Sequence, residues 1–374
     1  MFEYLNGLMK KNKELEIPAF DLLVYKDGKQ VYRYQHGVID FEGTPVSDKT
    51  LYNLYSCSKF ITCVTALTLL EKGKFTLEDD LAMYIPAFKD MKVNEGGVIY
   101  KAKNPIKLKH LFTMTSGLDY DLGHKGIEEL IADTNKVCPT VESMKYIAKK
   151  PLSFEPGKTW QYGLSHDVLG AVVEVVSGKR FGEYMKETVF DKLGMNDTGF
   201  TVADSERYRL AEQFNHNEGY YRHVGKDNCS FKLGSAYESG GAGIISTVDD
   251  YMRFLEGVRT YKILSEETLD LMSKDHLTEE QSKTSWGLAT GHGYGLGVRV
   301  PNGKSARTDI GWGGAAGASA AIDRKNDISL FFGMHVMSSP NAAFRPDLIE
   351  CAKLDLGIET DKNLLNKNLG QTLA

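Results

Sequence analysis

The four residues Ser56-Cys57-Ser58-Lys59 stand at the head of the strongest apolar-periodic helix in the chain, Ser58–Lys72, which Gly73 ends as a C-cap. Residues at i and i+3 share one helical face, so Ser56 and Lys59 can touch. A serine hydroxyl is a poor nucleophile until a base takes its proton. An ammonium cannot be that base, so the lysine must be neutral or must keep a second base ionised. The positive end of a helix disfavours a nearby ammonium, and burial disfavours it further. The same end offers backbone N–H groups that could hold an oxyanion. A capping serine followed by a solvated lysine would read the same way in isolation, so the rest of the chain has to choose.

Working outward, the flanks read differently from the middle. Upstream, Phe20–Tyr25 and Gln30–His36 are rich in strand formers and are separated by the turn signal Asp27-Gly28, which predicts a hairpin. Downstream, Gly293–Val300, Ala315–Ile322 and Ile328–Met337 read as strands, with Asp323–Asp327 turning the last two, and a helix follows over Ala342–Leu356. Between them, Leu108–Thr115, Val141–Lys149, Asp167–Ser177, Phe181–Val189, Thr247–Val258 and Ser265–His276 read as helices. The segments Asp90–Lys107 and Asn215–Gly241 look irregular. Strands at both ends predict one antiparallel sheet built from both termini. The expected organisation is a discontinuous sheet domain, residues 1–55 and 285–374, with a mostly helical domain, 56–284, and a cleft between them.

Composition narrows the function classes. The 374 residues are 42% hydrophobic and 25% charged, ordinary globular values, and long enough for a sizeable core without disulfides. A net charge of −5 argues against a general nucleic-acid binder. Five scattered cysteines without a C-x-x-C pair indicate neither a zinc ribbon nor a redox pair and fit a reduced, cytoplasmic setting. The charged N-terminus is no signal peptide, and no apolar run is long enough to span a bilayer, so no membrane partner is expected. The nine histidines lack close ligand spacing, and neither an H-E-x-x-H nor a G-x-G-x-x-G pattern occurs, so no metal and no cofactor is expected.

Two further segments bear on Ser56. In Phe154-Glu155-Pro156-Gly157-Lys158-Thr159-Trp160-Gln161-Tyr162-Gly163-Leu164-Ser165 a turn presents Tyr162 just before a helix. A phenol beside a cation can become a phenolate and serve as a base; a packing aromatic is the plainer alternative. In Asp309-Ile310-Gly311-Trp312-Gly313-Gly314-Ala315-Ala316-Gly317 the glycines would let a strand backbone approach a ligand. A tight hairpin would look similar.

Taken in order, these segments resemble the serine β-lactamase and penicillin-binding-protein superfamily. The similarity is strongest to its class C β-lactamase-like branch of family VIII carboxylesterases and statin side-chain transacylases. Leu111-Phe112-Thr113-Met114-Thr115-Ser116-Gly117-Leu118 is similar to the branch's L-L-T-H-T-S-G-L, and Gly240-Gly241-Ala242-Gly243 to Asp250 is similar to its G-G-G-L-x-S-T-x-x-D. The resemblance implies an α+β fold with a central antiparallel sheet flanked by helices. It implies Ser56 as acylated nucleophile, Lys59 as proton partner and Tyr162 as the tyrosine of Y-x-N. Backbone N–H groups of Ser56 and Ala315 would form the oxyanion hole, with Trp312, Gly313, Gly314 and Leu164 against substrate. Leu164 replaces the Asn of Y-x-N, and Trp312 replaces the Lys of K-T-G. The second change removes a cation suited to a β-lactam carboxylate and leaves an apolar wall. The implied activity is therefore hydrolysis of small carboxylic esters, with acyl transfer to an alcohol or β-lactam and D-amino-acid peptide cleavage as alternatives. A non-catalytic binding protein on the same scaffold is the remaining one.

Overall fold

The computed structural model describes residues 2–227, 229–285, 291–304 and 306–365. Seven strands form the main sheet: β1 (Ala19–Lys26), β2 (Lys29–Gly37), β3 (His292–Tyr294), β4 (Arg299–Pro301), β5 (Ile310–Gly313), β6 (Ser319–Asp323) and β7 (Ile328–Met334). Their order is β2-β1-β7-β6-β5-β4-β3, every neighbouring pair antiparallel, with Leu23 opposite Phe331 where the two chain ends meet. The sheet thus joins strands from both ends of the sequence.

Both faces are covered, which is why β1 and β7 read as continuous apolar runs rather than alternating ones. Leu22, Val24, Leu330 and Phe332 pack with Leu5, Leu8 and Met9 of helix α1 (Glu3–Glu14) and with Leu348 and Ile349 of the C-terminal helix Asp347–Asp355. The alternate residues Leu23 and Phe331 face the larger core, shared with α2 (Ser58–Glu71), α3 (Ser165–Ser177) and α4 (Val248–Arg259). Helix α2 is buried without interruption from Ser58 to Leu69, as its nearly all-round apolar sequence demands. Gly73 follows it with φ +63. Arg33 of β2 ties this face together, donating to Asp21 of β1 at 2.7 Å and to Asp249 in the first turn of α4 at 2.8 Å.

Several local expectations change. Gly293–Val300 is not one strand: it turns at Gly295–Val298, closed by the Gly295 N–H to the Val298 carbonyl at 2.8 Å, and becomes the β3–β4 hairpin. Ala315–Ala318 is the turn between β5 and β6, so the expected strand begins only at Ser319. The helix expected from Ala342 starts at Asp347, after a short turn over Pro340–Ala343. Helix α1 and the helix Lys125–Asp133 were not among the expected elements, and the two irregular segments hold the hairpins Lys92–Glu95/Val98–Lys101 and Phe214–Asn217/Tyr220–His223. No helix among the described residues is long and apolar enough to cross a membrane.

Candidate active site

Ser56 lies in a single 3-10 turn, Tyr55–Cys57, that feeds directly into α2, and Lys59 sits in the first turn of that helix. The Lys59 Nζ is 3.2 Å from Ser56 Oγ, 2.7 Å from the Tyr120 hydroxyl and 2.7 Å from the Gly241 carbonyl oxygen. It also lies over the face of the Tyr162 ring, 4.5 Å from its centroid. The side chain is fully buried. Burial pulls its pKa down to about 7, against the opposing pull of Asp167 and of the Cys63 and Cys57 thiols. The shift favours the neutral amine that a base for Ser56 would need.

Tyr162 reaches the site from the loop before α3. Its hydroxyl shares a hydrogen bond with Ser56 and accepts one from the Trp312 indole Nε1–H at 3.1 Å. Its ring stacks between Trp160 (6.1 Å) and Trp312 (5.7 Å), each tilted by 27°. Burial pushes its pKa well above the ordinary tyrosine value, although the bonds to Ser56 and Trp312 pull the other way. Burial thus disfavours the phenolate that the sequence allowed and favours a neutral Lys59. One orientation of the hydrogens satisfies the set. Trp312 donates to Tyr162, Tyr162 to Ser56 Oγ, and Ser56 to the lone pair of a neutral Lys59, whose own hydrogens go to Gly241 and Tyr120.

Three of these participants escaped the sequence reading. Tyr120, from a segment that carries no motif, is bonded to Lys59. Asp167 is buried and accepts from Ser239 Oγ at 2.6 Å and the Tyr237 hydroxyl at 3.2 Å. Gly241 sits between them: a Cβ there would stand 2.4 Å from Asp167 Oδ2 and 2.8 Å from the Tyr120 hydroxyl. Gly241→Ala must push both away and shift the carbonyl that holds Lys59. A cost of about 1–3 kcal/mol in stability is expected from such overpacking, together with a drop in kcat. Thermal melts and steady-state kinetics check this, and unchanged values of both would refute it.

A cavity of about 380 Å³ opens in front of Ser56. Trp160, Tyr162, Tyr294 and Trp312 wall it, and Gly313, Gly314 and Ala315 form its edge along the end of β5. Leu164 is placed differently from expectation: it is buried in the main core beside α3 and is not part of this wall. The pocket also holds cations that the loss of a lysine at position 312 did not suggest. Arg299 lines it, paired at 2.8 Å with the buried Asp309, and so does Arg345, which donates to the Gly314 carbonyl at 3.0 Å. Burial alone would raise the Asp309 pKa, but Arg299 beside it holds the carboxylate well below its usual range.

A buried lysine against a serine at the head of a helix, with a tyrosine closing the triangle beside an antiparallel sheet, is the arrangement of the serine β-lactamase and penicillin-binding-protein superfamily. The Beta-lactamase family model matches residues 5–353, and the chain belongs to that family. It is 30% identical to Esterase EstB of Burkholderia gladioli over 86% of this chain and 85% of that protein. It is 26% identical to ML-236A carboxylate methylbutanoyltransferase mlcH of Penicillium citrinum, over 81% of this chain and 74% of that one. Among solved structures it is similar to EstCE1, a hydrolase with promiscuous acyltransferase activity, with a TM-score of 0.76, 24% identity, and coverage of 94% of this chain and 97% of that one.

Proposed function

We propose that this protein is a serine carboxylesterase that cleaves small carboxylic esters through an acyl-enzyme on Ser56. The observation that carries the reading is the buried Lys59 amine, 3.2 Å from the Oγ of Ser56, which itself lines an aromatic-walled cavity. Neutral Lys59 takes the Ser56 proton as Oγ bonds to the ester carbonyl carbon. The negative charge on the carbonyl oxygen is held by the N–H groups of Ser56 and Ala315. The C–O bond to the alcohol then breaks, and the alcohol leaves with a proton delivered through Tyr162 and replaced from Lys59. A water, deprotonated by the same route, attacks the acyl carbon and frees Ser56. Trp312, Gly313 and Gly314 line the substrate. The division into residues 1–55 with 285–374 and residues 56–284 is the framework we propose for the two sides of the cleft. Its partners are small-molecule esters, with neither nucleic acid nor membrane required, and the free cysteines suit a cytoplasmic setting.

The apolar walls favour a second outcome of the same intermediate, capture of the acyl group by an alcohol rather than water. Mass spectrometry of p-nitrophenyl butyrate reactions with and without added alcohols separates the two: butyric acid alone marks a hydrolase, and a new butyrate ester marks a transacylase. The same reaction, quenched and peptide-mapped, must show the butyryl group on Ser56; its absence there would sink the reading. Nitrocefin turnover tests the β-lactamase alternative, expected to be weak.

The lysine also sets the pH dependence. If the neutral amine is the working form, kcat/KM rises with pH through about 7 and then levels, far below the ordinary lysine range. Asp167→Asn removes a charge that raises the Lys59 pKa, so the acid limb moves to lower pH. Profiles of kcat/KM against pH read both effects, and a limb that stays in place would dissociate it from the Lys59–Asp167 pair.

A further inference from the structure

The residue before Ser56 is not where a tyrosine would choose to be. Tyr55 has φ +47, in the left-handed region that favours glycine. Such a conformation persists only where the surroundings over-determine it. Here they do. The Tyr55 side chain is buried, and its hydroxyl donates to Gln213 Oε1 at 2.5 Å. Gln213 is fully buried, and its amide donates to the carbonyls of Gly225 (3.1 Å) and Lys226 (2.9 Å), which fixes its oxygen toward Tyr55.

The residues on either side are fastened as well. The Asn53 N–H donates to His335 Nε2 at 2.5 Å, and the Leu54 N–H to the Ile244 carbonyl at 2.9 Å. Beyond Ser56, the Tyr251 hydroxyl donates to the Cys57 carbonyl at 2.9 Å. The Leu54 carbonyl also packs directly on the end of β5: a Cβ on Gly314 would lie 2.5 Å from its oxygen. The peptide that touches Gly314 is thus separated from Ser56 only by the strained residue.

We propose that Tyr55 and Gln213 are positioning residues, a latch that holds residue 55 left-handed and so sets the spacing between the Ser56 turn and the Gly314-Ala315 end of β5. This rests on the reading of Ser56 as nucleophile and of Ser56 and Ala315 as oxyanion donors. Without the latch the turn can relax, and Ser56 Oγ and its N–H move relative to Ala315 while the substrate walls stay in place. The effect belongs to bond formation and not to binding. Misplacement by a fraction of an ångström to an ångström costs roughly ten- to a hundredfold in rate.

Tyr55→Phe keeps the ring and removes the hydroxyl; Gln213→Met keeps the volume and removes the acceptor. Each is compared with the unaltered protein for p-nitrophenyl butyrate turnover, with rates expressed per Ser56 labelled at completion by a fluorophosphonate, so that unfolded protein does not count. In both variants kcat per labelled site is expected to fall at least about tenfold with KM within about twofold, and the double variant to be no worse than the singles, as for one shared interaction. The labelling rate falls in step, and the acid limb of the pH profile stays in place because the Lys59 surroundings are intact. A kcat per site within twofold in either variant, or a loss carried by KM, overturns the latch. Failure of the unaltered protein to label at Ser56 would instead overturn the assignment of the nucleophile.

Discussion

Ser56→Ala is expected to reduce turnover of p-nitrophenyl acetate and butyrate by about 10⁴-fold or more, to the level left by oriented donors and water alone. In the proposed mechanism the oxygen removed is the atom that becomes part of the acyl-enzyme, so no neighbouring group can substitute for it. The base and acid roles proposed for Lys59 and Tyr162 have no object once it is gone. The change is small in other respects. Lys59 keeps its bonds to Tyr120 and Gly241, and Tyr162 keeps its bond from Trp312. The melting temperature is therefore expected to move little, and the pre-steady-state burst and the fluorophosphonate label to vanish together. Persistence of the burst in the alanine variant would mean that another nucleophile carries the acyl group.

The parts of this site legible in sequence are those whose chemistry is local. Ser56 and Lys59 are three residues apart at the head of a helix, so their contact follows from helical geometry alone. The flanking sheet was legible for a similar reason: β1 and β2 are joined by a two-residue turn, and β6 and β7 by a short one. The surroundings of Lys59 were not legible, because Tyr120, Asp167 and Gly241 come from three separated segments that only the packed fold brings together. The protonation of Tyr162 depends on the same surroundings. A cation beside Tyr162 and a lysine neutralised by burial could both be inferred, but not that burial would raise the phenol as well. Leu164 was placed by motif position, whereas the onset of α3 turns its side chain into the core. Trp312 was read as a wall, and an indole is that, but its N–H donor matters only once Tyr162 lies across from it.

Tyr162→Phe tests the proton route more sharply than it tests the nucleophile. Loss of a positioned acid or base is expected to lower kcat by about 10²–10⁴-fold. The phenyl ring can keep the stacking on Trp160 and Trp312, so KM should hold within a small factor. What distinguishes the role is the leaving group. A p-nitrophenolate departs without a proton, whereas an aliphatic alkoxide needs one as the C–O bond breaks. If the phenol delivers that proton, the variant loses more with ethyl butyrate than with p-nitrophenyl butyrate. The acid limb of kcat/KM, which the proposed mechanism assigns to Lys59, should then stay near its original position because the amine keeps its bonds to Tyr120 and Gly241. Equal losses on both esters would restrict Tyr162 to orienting Ser56 Oγ. Near-normal rates on both would remove it from proton transfer and leave Lys59 as the sole partner of the serine.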